Sequence, residues 1–205
     1  MYNVSNYFQK LIREPGRTFD MKVIINNTEY GTNNIVEMGL HEAIAEGEDF
    51  AIGNAIATRF DLKIRTEDNF EANAEVRPYI MLYGEGASTE WLPLGVFYID
   101  SREYAEGGVW RYVCYDKLMF ANQPWKTNLT LPNGMLNVMN EICGILDIEI
   151  AEDTIINNSF EVPLMTHEFT MRQVIGYIAG CHAANARINR DGKLVFVIPK
   201  QGEVV

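Results

Sequence analysis

The sequence predicts an α+β fold, in which an N-terminal antiparallel β-barrel or sandwich is followed by a small α/β domain with two helices and a β-hairpin. Three observations lead to this fold class. Short strand patterns separated by glycine-containing turns fill the chain from Phe19 to about Tyr115. Apolar residues at helical spacing begin only after Pro124, and an Asp191-Gly192 turn follows them between two short strand patterns. The expected divisions are an N-terminal segment at residues 1–18, a β-domain at 19–123 and an α/β domain at 124–205.

Seven strands are predicted in the β-domain. Between Phe60 and Arg65, apolar residues alternate with charged residues, which is the pattern of a strand with one buried and one solvated face. Leu94–Ile99 is apolar on both faces, and the Gly107-Gly108 pair predicts a turn into the next strand. The predicted strands are Met21–Ile25, Ile35–Ile44, Ala51–Ile56, Phe60–Arg65, Val76–Tyr83, Leu94–Ile99 and Val109–Tyr115.

Two helices are predicted in the α/β domain. Asn133 is the predicted N-cap of the first helix, because apolar residues follow it at helical spacing up to Leu146. The second helix starts with a capping box formed by Thr170 and Gln173, and we expect it to run to about Ala184. The final hairpin consists of Ala186–Asn189 and Lys193–Ile198, joined by Arg190-Asp191-Gly192.

One side of the second predicted helix carries only small residues. Small side chains let the backbone of a helix approach its neighbour closely. We therefore expect this side to pack on the sheet or on the first helix. The residues are Gly176, Ala179, Gly180, Ala183 and Ala184.

Composition and charge limit the classes of function. The chain has 205 residues, of which 47% are hydrophobic, so it can bury a substantial core. Its 17 basic and 28 acidic residues give a formal net charge of −11, which repels the phosphate backbone of nucleic acids. No apolar run reaches the roughly 18 residues that a membrane helix needs. We therefore expect neither a nucleic-acid partner nor a membrane span. Four acidic residues concentrate in a predicted solvated loop, at Glu42, Glu46, Glu48 and Asp49.

Cysteine and histidine spacing argues against metal and catalytic chemistry. The three cysteines form no C-x-x-C pair, which predicts buried free thiols in a protein made in a reducing cytoplasm. The three histidines show no spacing that would put two imidazoles on one metal ion. Adjacent helix residues point about 100° apart, so Cys181 and His182 cannot act together as nucleophile and base. No catalytic, cofactor-binding or metal-binding residue and no cofactor is predicted. The residues considered are Cys114, Cys143, Cys181, His41, His167 and His182.

Two other classes of function remain as alternatives. A carbohydrate-binding module is the first, because Trp91, Trp110 and Trp125 could stack on sugar rings if they share one exposed face. A hydrolase is the second, and it would need two carboxylates that converge in a cleft with raised pKa values. Acidic residues such as Glu90 and Glu103 are abundant, but abundance is no evidence of a catalytic pair.

The region between Trp91 and Trp125 resembles part of the hub proteins of phage and prophage tails. Leu94–Asp100 (LGVFYID) is similar to the family's strand with the pattern plG-x-f-yI-d, and Tyr115–Phe120 (YDKLMF) is similar to its y-D-k-l-x-f exit. Further similar blocks, in the same order as in the family, are Phe50–Ile64, Phe169–Ala179 and Arg190–Leu194.

The resemblance implies a structural role without catalysis. Such proteins form a symmetric ring, usually a trimer, at the tail tip or baseplate, and the ring connects the tail tube to distal tail parts. The implied partners are copies of the chain and other phage tail proteins, with a host cell-surface glycan as a further candidate. The implied location is the virion tail, after synthesis in the bacterial host cytoplasm. Family members are commonly longer, so we expect an α/β domain that continues past Val205. An alternative within the resemblance is the non-catalytic N-terminal part of a tail-associated cell-wall hydrolase.

Overall fold

The computed structural model of the chain describes residues 4–43, 51–84, 86–163 and 168–198. Internal contacts divide the chain into two compact units. The first unit consists of Met1–His41 and Arg59–Asp116, and the second consists of Glu42–Thr58 and Lys117–Val205. The chain therefore leaves the first unit after His41 and returns to it at Arg59.

The first unit contains a short helix and a large antiparallel sheet. Helix α1 spans Asn6–Leu11, and the Ser5 hydroxyl caps it by accepting a hydrogen bond from the Phe8 amide at 3.0 Å. The helix buries Phe8 and Leu11 against Leu82. The strands are β1 (Thr18–Ile25), β2 (Thr28–Gly31), β3 (Ile35–His41), β4 (Arg59–Arg65), β5 (Glu75–Gly84), β6 (Ala87–Ser88), β7 (Leu92–Pro93), β8 (Phe97–Ala105) and β9 (Val109–Tyr115).

The sheet is antiparallel throughout and open. Its strand order is β2-β1-β5-β8-β9-β4-β3, and β6 and β7 pair with β5. The predicted α+β class is confirmed, but the sheet does not close into a barrel, because within the described residues β2 pairs only with β1 and β3 only with β4. A tight turn joins these two edge strands, and in it the Asn34 amide donates to the Gly31 carbonyl at 2.9 Å.

Alternate residues of the strands build the core of the first unit. In β4, Phe60, Leu62 and Ile64 are buried and the residues between them are more exposed, as the alternation predicts. The Phe60 ring stacks on that of Phe97 in β8, with 5.1 Å between the ring centres. Each fully buried side chain of this size contributes about 1.5–3 kcal/mol, so the centre of the sheet supplies much of the stability of this unit.

Two predicted strands differ in extent from the observed ones. The strand predicted at Ile35–Ile44 ends at His41, and Ile44 lies outside the described residues. The strand predicted at Leu94–Ile99 begins at Phe97, because Gly95 has a φ of +150° and lies against the ring of Phe97. The strand then continues to Ala105. The other strands predicted in this unit are confirmed within a few residues.

The prediction of a strand at Ala51–Ile56 is wrong. This segment forms only an isolated parallel bridge, between Ala55 and Ala186, and it belongs to the second unit. Gly53 there adopts a φ of +85°, which is incompatible with an extended strand.

The second unit packs two helices and two small β-ladders around one core. Val138, Met139 and Ile142 of the first of these helices pack with Val174 and Ile178 of the second in this core. The elements are a 3₁₀-helix (Lys117–Asn122), β10 (Asn133–Gly134), α2 (Met135–Leu146), β11 (Glu161–Val162), α3 (Met171–Cys181), β12 (Asn185–Ile188) and β13 (Leu194–Val197). Strands β12 and β13 form the predicted final hairpin, while β10 pairs with β11.

The ends of the two helices differ partly from the prediction. Gly134, not Asn133, is the N-cap of α2, and both residues also pair with β11. The capping box of Thr170 and Gln173 at the start of α3 is confirmed. Helix α3 ends at Cys181 and does not reach Ala184, because Ala183 has a left-handed backbone with a φ of +53°.

Candidate functional site

The small-residue side of α3 packs on the backbone of the loop formed by residues 51–57. A Cβ atom on Gly176 would lie 2.5 Å from the carbonyl oxygen of Gly53, and one on Gly180 would lie 3.1 Å from the Gly53 Cα. The predicted close packing is therefore real, but its partner is this loop. The prediction of the sheet or the first helix as the partner is wrong for Gly176 and Gly180, whereas Ala179 is buried in the core that includes residues of α2.

Hydrogen bonds fix the loop to α3 and β12. The Gly53 amide donates to the Ala184 carbonyl at 3.0 Å, and the Ala186 amide donates to the Asn54 carbonyl at 2.8 Å. The buried Asn185 side chain accepts from the Asn54 amide at 2.9 Å and donates to the Ala51 carbonyl at 3.0 Å.

A further contact comes from the first turn of α3, where Arg172 Nε donates to the Ala55 carbonyl at 2.6 Å. Backbone groups on both sides of the loop are thus satisfied by named partners.

A groove of about 480 Å³ lies between this loop and the N-terminal half of α3. Residues 53–55 form one wall, Asn122 lies at the side, and Thr170, Gln173 and Tyr177 line the helix side together with Arg172. The described residues of the lining supply carboxamides, a hydroxyl, a phenol and one guanidinium, and no carboxylate is among them. This groove is a concave surface with groups that can hold a polar ligand.

The sequence did not indicate the groove, because its residues come from separate stretches of the chain. One signal was present in the sequence: Tyr177 is a large aromatic residue directly beside Gly176 on the small-residue helix. In the structure its side chain is 54% exposed. Its ring is held by an edge-to-face contact with Phe169, with 5.5 Å between ring centres.

The open sheet of the first unit offers a second kind of candidate surface. Its edge strands β2 and β3 present backbone groups to solvent or to a partner chain. Val36 on β3 and Tyr104 on β8 are exposed apolar side chains of this unit. Edge strands and exposed apolar residues are features that protein partners commonly cover.

The three tryptophans do not form one sugar-stacking face. Trp125 is buried in the second unit, and its Nε1 donates to Glu141 at 3.0 Å. Trp91 lies in the first unit with the Lys22 ammonium 4.9 Å from its ring centre. The rings of Trp110 and Tyr104 lie edge to face, with 5.0 Å between ring centres.

The histidines and cysteines are dispersed. His41 pairs with Asp61 at 2.9 Å, His182 caps the C-terminus of α3, and His167 lies outside the described residues. Across residues 4–43, 51–84, 86–163 and 168–198, no three His, Cys, Asp or Glu side chains are close enough to hold a metal ion.

Two of the three predicted buried thiols are confirmed. Cys114 and Cys143 are buried, and burial raises the pKa of Cys143 to about 12 and also raises the pKa of Cys114 strongly. Cys181 is exposed, so the prediction that it is buried is wrong. It is the last residue of α3.

The carboxylates named as examples for a hydrolase are engaged in other contacts. Glu90 accepts hydrogen bonds at 2.7 Å from both the amide and the hydroxyl of Ser5, and the amide bond lowers the pKa of Glu90. Glu103 lies 3.5 Å from Arg111. A general acid needs a raised pKa, whereas the surroundings of Glu90 lower the pKa of its carboxyl. Glu42 of the predicted acidic loop is exposed and lies 3.7 Å from Arg187, and the rest of that acidic group lies outside the described residues.

The fold is similar to that of solved tail proteins, one of them from a prophage. The 43 kDa tail protein of prophage MuSo2 from Shewanella oneidensis superposes with a TM-score of 0.56 at 12% identity, over 91% of this chain and 55% of that one. The tail protein from Neisseria meningitidis MC58 superposes with a TM-score of 0.58 at 16% identity, over 87% of this chain and 50% of that one. A structure of the Francisella PdpA–VgrG complex gives a TM-score of 0.51 at 10% identity, over 96% of this chain and 34% of that one.

The chain spans about half the length of the two tail proteins, at 55% and 50%. No family model matches the sequence, and no curated protein does either. Within the part of the chain that the structure describes, no helix has both the length and the apolar character to cross a membrane.

Proposed function

We propose that the chain is a non-enzymatic structural component of a phage or prophage tail tip or baseplate hub. The observation that carries this proposal is the fold shared with two tail proteins, one of them from a prophage, over about nine tenths of the chain, at 91% and 87%. The family blocks in the sequence lead independently to the same class. The chain then resides in the virion tail after synthesis in the host cytoplasm.

In this role, copies of the chain assemble into a symmetric ring that connects the tail tube to distal tail parts. A closed ring needs two different patches on each subunit that fit each other. Within the described residues, the open sheet has two different unpaired edges, β2 and β3. Pairing of β2 of one subunit with β3 of the next would satisfy the backbone hydrogen-bonding groups of both edges and would cover the exposed Val36. A trimer is the expected closed form.

Other tail proteins are the proposed further partners. A protein of similar fold occurs in the Francisella PdpA–VgrG complex, and the net charge of −11 favours partners with a basic face over nucleic acid.

Light scattering across a concentration series tests the ring. A mass of three chains that persists on dilution supports the proposal, and a monomer at every concentration overturns ring assembly by this chain. Val36→Pro, which places a proline on the exposed edge strand β3, should shift the mass toward the monomer. Ile155→Pro is the matched control, because Ile155 is 82% exposed in a loop of the second unit.

A further inference from the structure

We propose that the groove between residues 53–55 and α3 binds a short saccharide chain. The inference concerns a ligand of the second unit alone and goes beyond the structural role proposed above. It depends on which groups of the groove are already engaged and which remain for a ligand.

The loop wall offers little backbone to a peptide. The Gly53 amide is bonded to Ala184, the Asn54 amide to Asn185, and the Asn54 carbonyl to Ala186. The Ala55 carbonyl accepts from Arg172 at 2.6 Å. A peptide that binds by strand addition needs a row of free N–H and C=O groups. These bonds disfavour that mode of binding.

The helix end is also occupied, which disfavours phosphate or carboxylate ligands. Anions bind at helix N-termini through free backbone amides. Here the Gln173 amide donates to the Thr170 hydroxyl at 3.2 Å, and the Thr170 amide donates to Gln173 Oε1 at 2.9 Å. The Met171 amide donates to the Gln123 carbonyl at 3.0 Å.

The groups that remain form a mixed set of donors and acceptors. Asn54 uses its Nδ2 on the Ala51 carbonyl at 3.2 Å, which leaves Oδ1 as an acceptor. Gln173 uses its Oε1 on Thr170, which leaves Nε2 as a donor. The Asn122 carboxamide and the Tyr177 hydroxyl have no hydrogen-bond partner among the described residues. A sugar hydroxyl both donates and accepts, so neighbouring hydroxyls on one ring match this set.

Tyr177 supplies the surface on which a sugar ring can stack. Tyr177 is 54% exposed, and the contact of its ring with Phe169, at 5.5 Å between ring centres, fixes the orientation of the ring before a ligand arrives. Among the described residues of the lining, Arg172 is the one that carries a charge, and none is a carboxylate. The geometry therefore points to an uncharged oligosaccharide with polar edges on the carboxamides and an apolar face on Tyr177.

Amide NMR titration of the full chain with chitotriose and with maltotriose tests the site. We expect one of the two sugars to shift amides of residues 53–55, 122 and 170–177. Tyr177→Ala should weaken binding at least tenfold, whereas Tyr177→Phe keeps the ring and should weaken it only a few fold. Asn122→Ala should also weaken binding a few fold. Tyr104→Ala is the matched control, because Tyr104 is 60% exposed in the first unit.

Four outcomes would overturn the site. They are no shift with either sugar, binding that survives Tyr177→Ala, binding that Tyr104→Ala abolishes, or shifts of the same amides by an acidic tetrapeptide but by neither sugar. The amide spectrum of each variant without ligand shows whether it is folded. Loss of saccharide binding with an unchanged mass in light scattering would leave the proposed ring intact, so the two proposals fail separately.

Discussion

Gly176 of α3 faces the carbonyl oxygen of Gly53 so closely that a single added methyl group at Gly176 would lie 2.5 Å from that oxygen. Because the Gly53 loop is also bonded to Ala184, Asn185 and Ala186, it cannot shift away from α3 without loss of those bonds. The contact explains why this side of the helix carries small residues.

Gly176→Ala should lower the free energy of unfolding by about 1–3 kcal/mol, the usual cost of overpacking. This loss should occur although alanine favours a helix over glycine by about 0.5–1 kcal/mol. Gly144→Ala in α2 is the control, because nothing lies within 4 Å of a Cβ atom there. The control should be stabilised by about 0.5–1 kcal/mol. Urea unfolding followed by circular dichroism measures both changes. Equal stabilisation of the two variants would contradict the close contact.

Stability should fall at alkaline pH, in part through Cys143. Burial raises its pKa from an ordinary value of 9.0 to about 12. Between these two values the unfolded chain has lost the thiol proton and the folded chain keeps it, so the free energy of unfolding decreases as pH rises. The slope from one such thiol approaches about 1.4 kcal/mol per pH unit. The contribution is fully present below the unfolded pKa.

Urea unfolding of the wild type and of Cys143→Ala, at a series of pH values from neutral to alkaline, checks this slope. The variant should be less stable at neutral pH because it leaves a cavity, and its stability should fall less steeply above about pH 9. Cys114, whose pKa burial also raises, remains in both proteins and cancels in the difference. If the free energy of unfolding of the two proteins runs parallel across the pH series, Cys143 is not a buried thiol in solution.

Thiol labelling should distinguish Cys181 from the other two cysteines. Cys181 is exposed, whereas Cys114 and Cys143 are buried. Ellman's reagent should therefore react rapidly with one thiol per folded chain and with all three after denaturation. Cys181→Ser should remove the rapid reaction. A rapid reaction that persists in this variant would mean that one of the buried thiols opens to solvent.

Patterns that depend on near neighbours could be predicted from the sequence. The alternation in Phe60–Arg65 predicts β4, because a two-residue period needs no knowledge of the partner strand. The capping box of Thr170 and Gln173 predicts the start of α3, because both partners lie within one turn. Helix α1 spans only Asn6–Leu11, which is too short to show a helical period.

Features that depend on distant partners could not be predicted. Ala51–Ile56 has the apolar character of a strand, but its hydrogen bonds go to residues 184–186, and no local pattern specifies that. Likewise, Asn133 is a good N-cap residue, but in the structure it pairs with Val162 of β11 and Gly134 is the N-cap. The groove combines residues 53–55 with Asn122 and the start of α3, so its chemistry appears only after folding.

The segment between His41 and Arg59 belongs to the second unit, and this affects how the gene for this protein can recombine with a related gene. Strands β3 and β4 are hydrogen-bonded neighbours, yet the residues between them complete the other unit. A single crossover after Asp116 would join Lys117–Val205 to a foreign version of the loop that carries Gly53 and Ala55. Gly176, Asn185 and Arg172 would then face residues with which they did not evolve. Modular replacement of the second unit therefore requires that two separate stretches of the gene be inherited together.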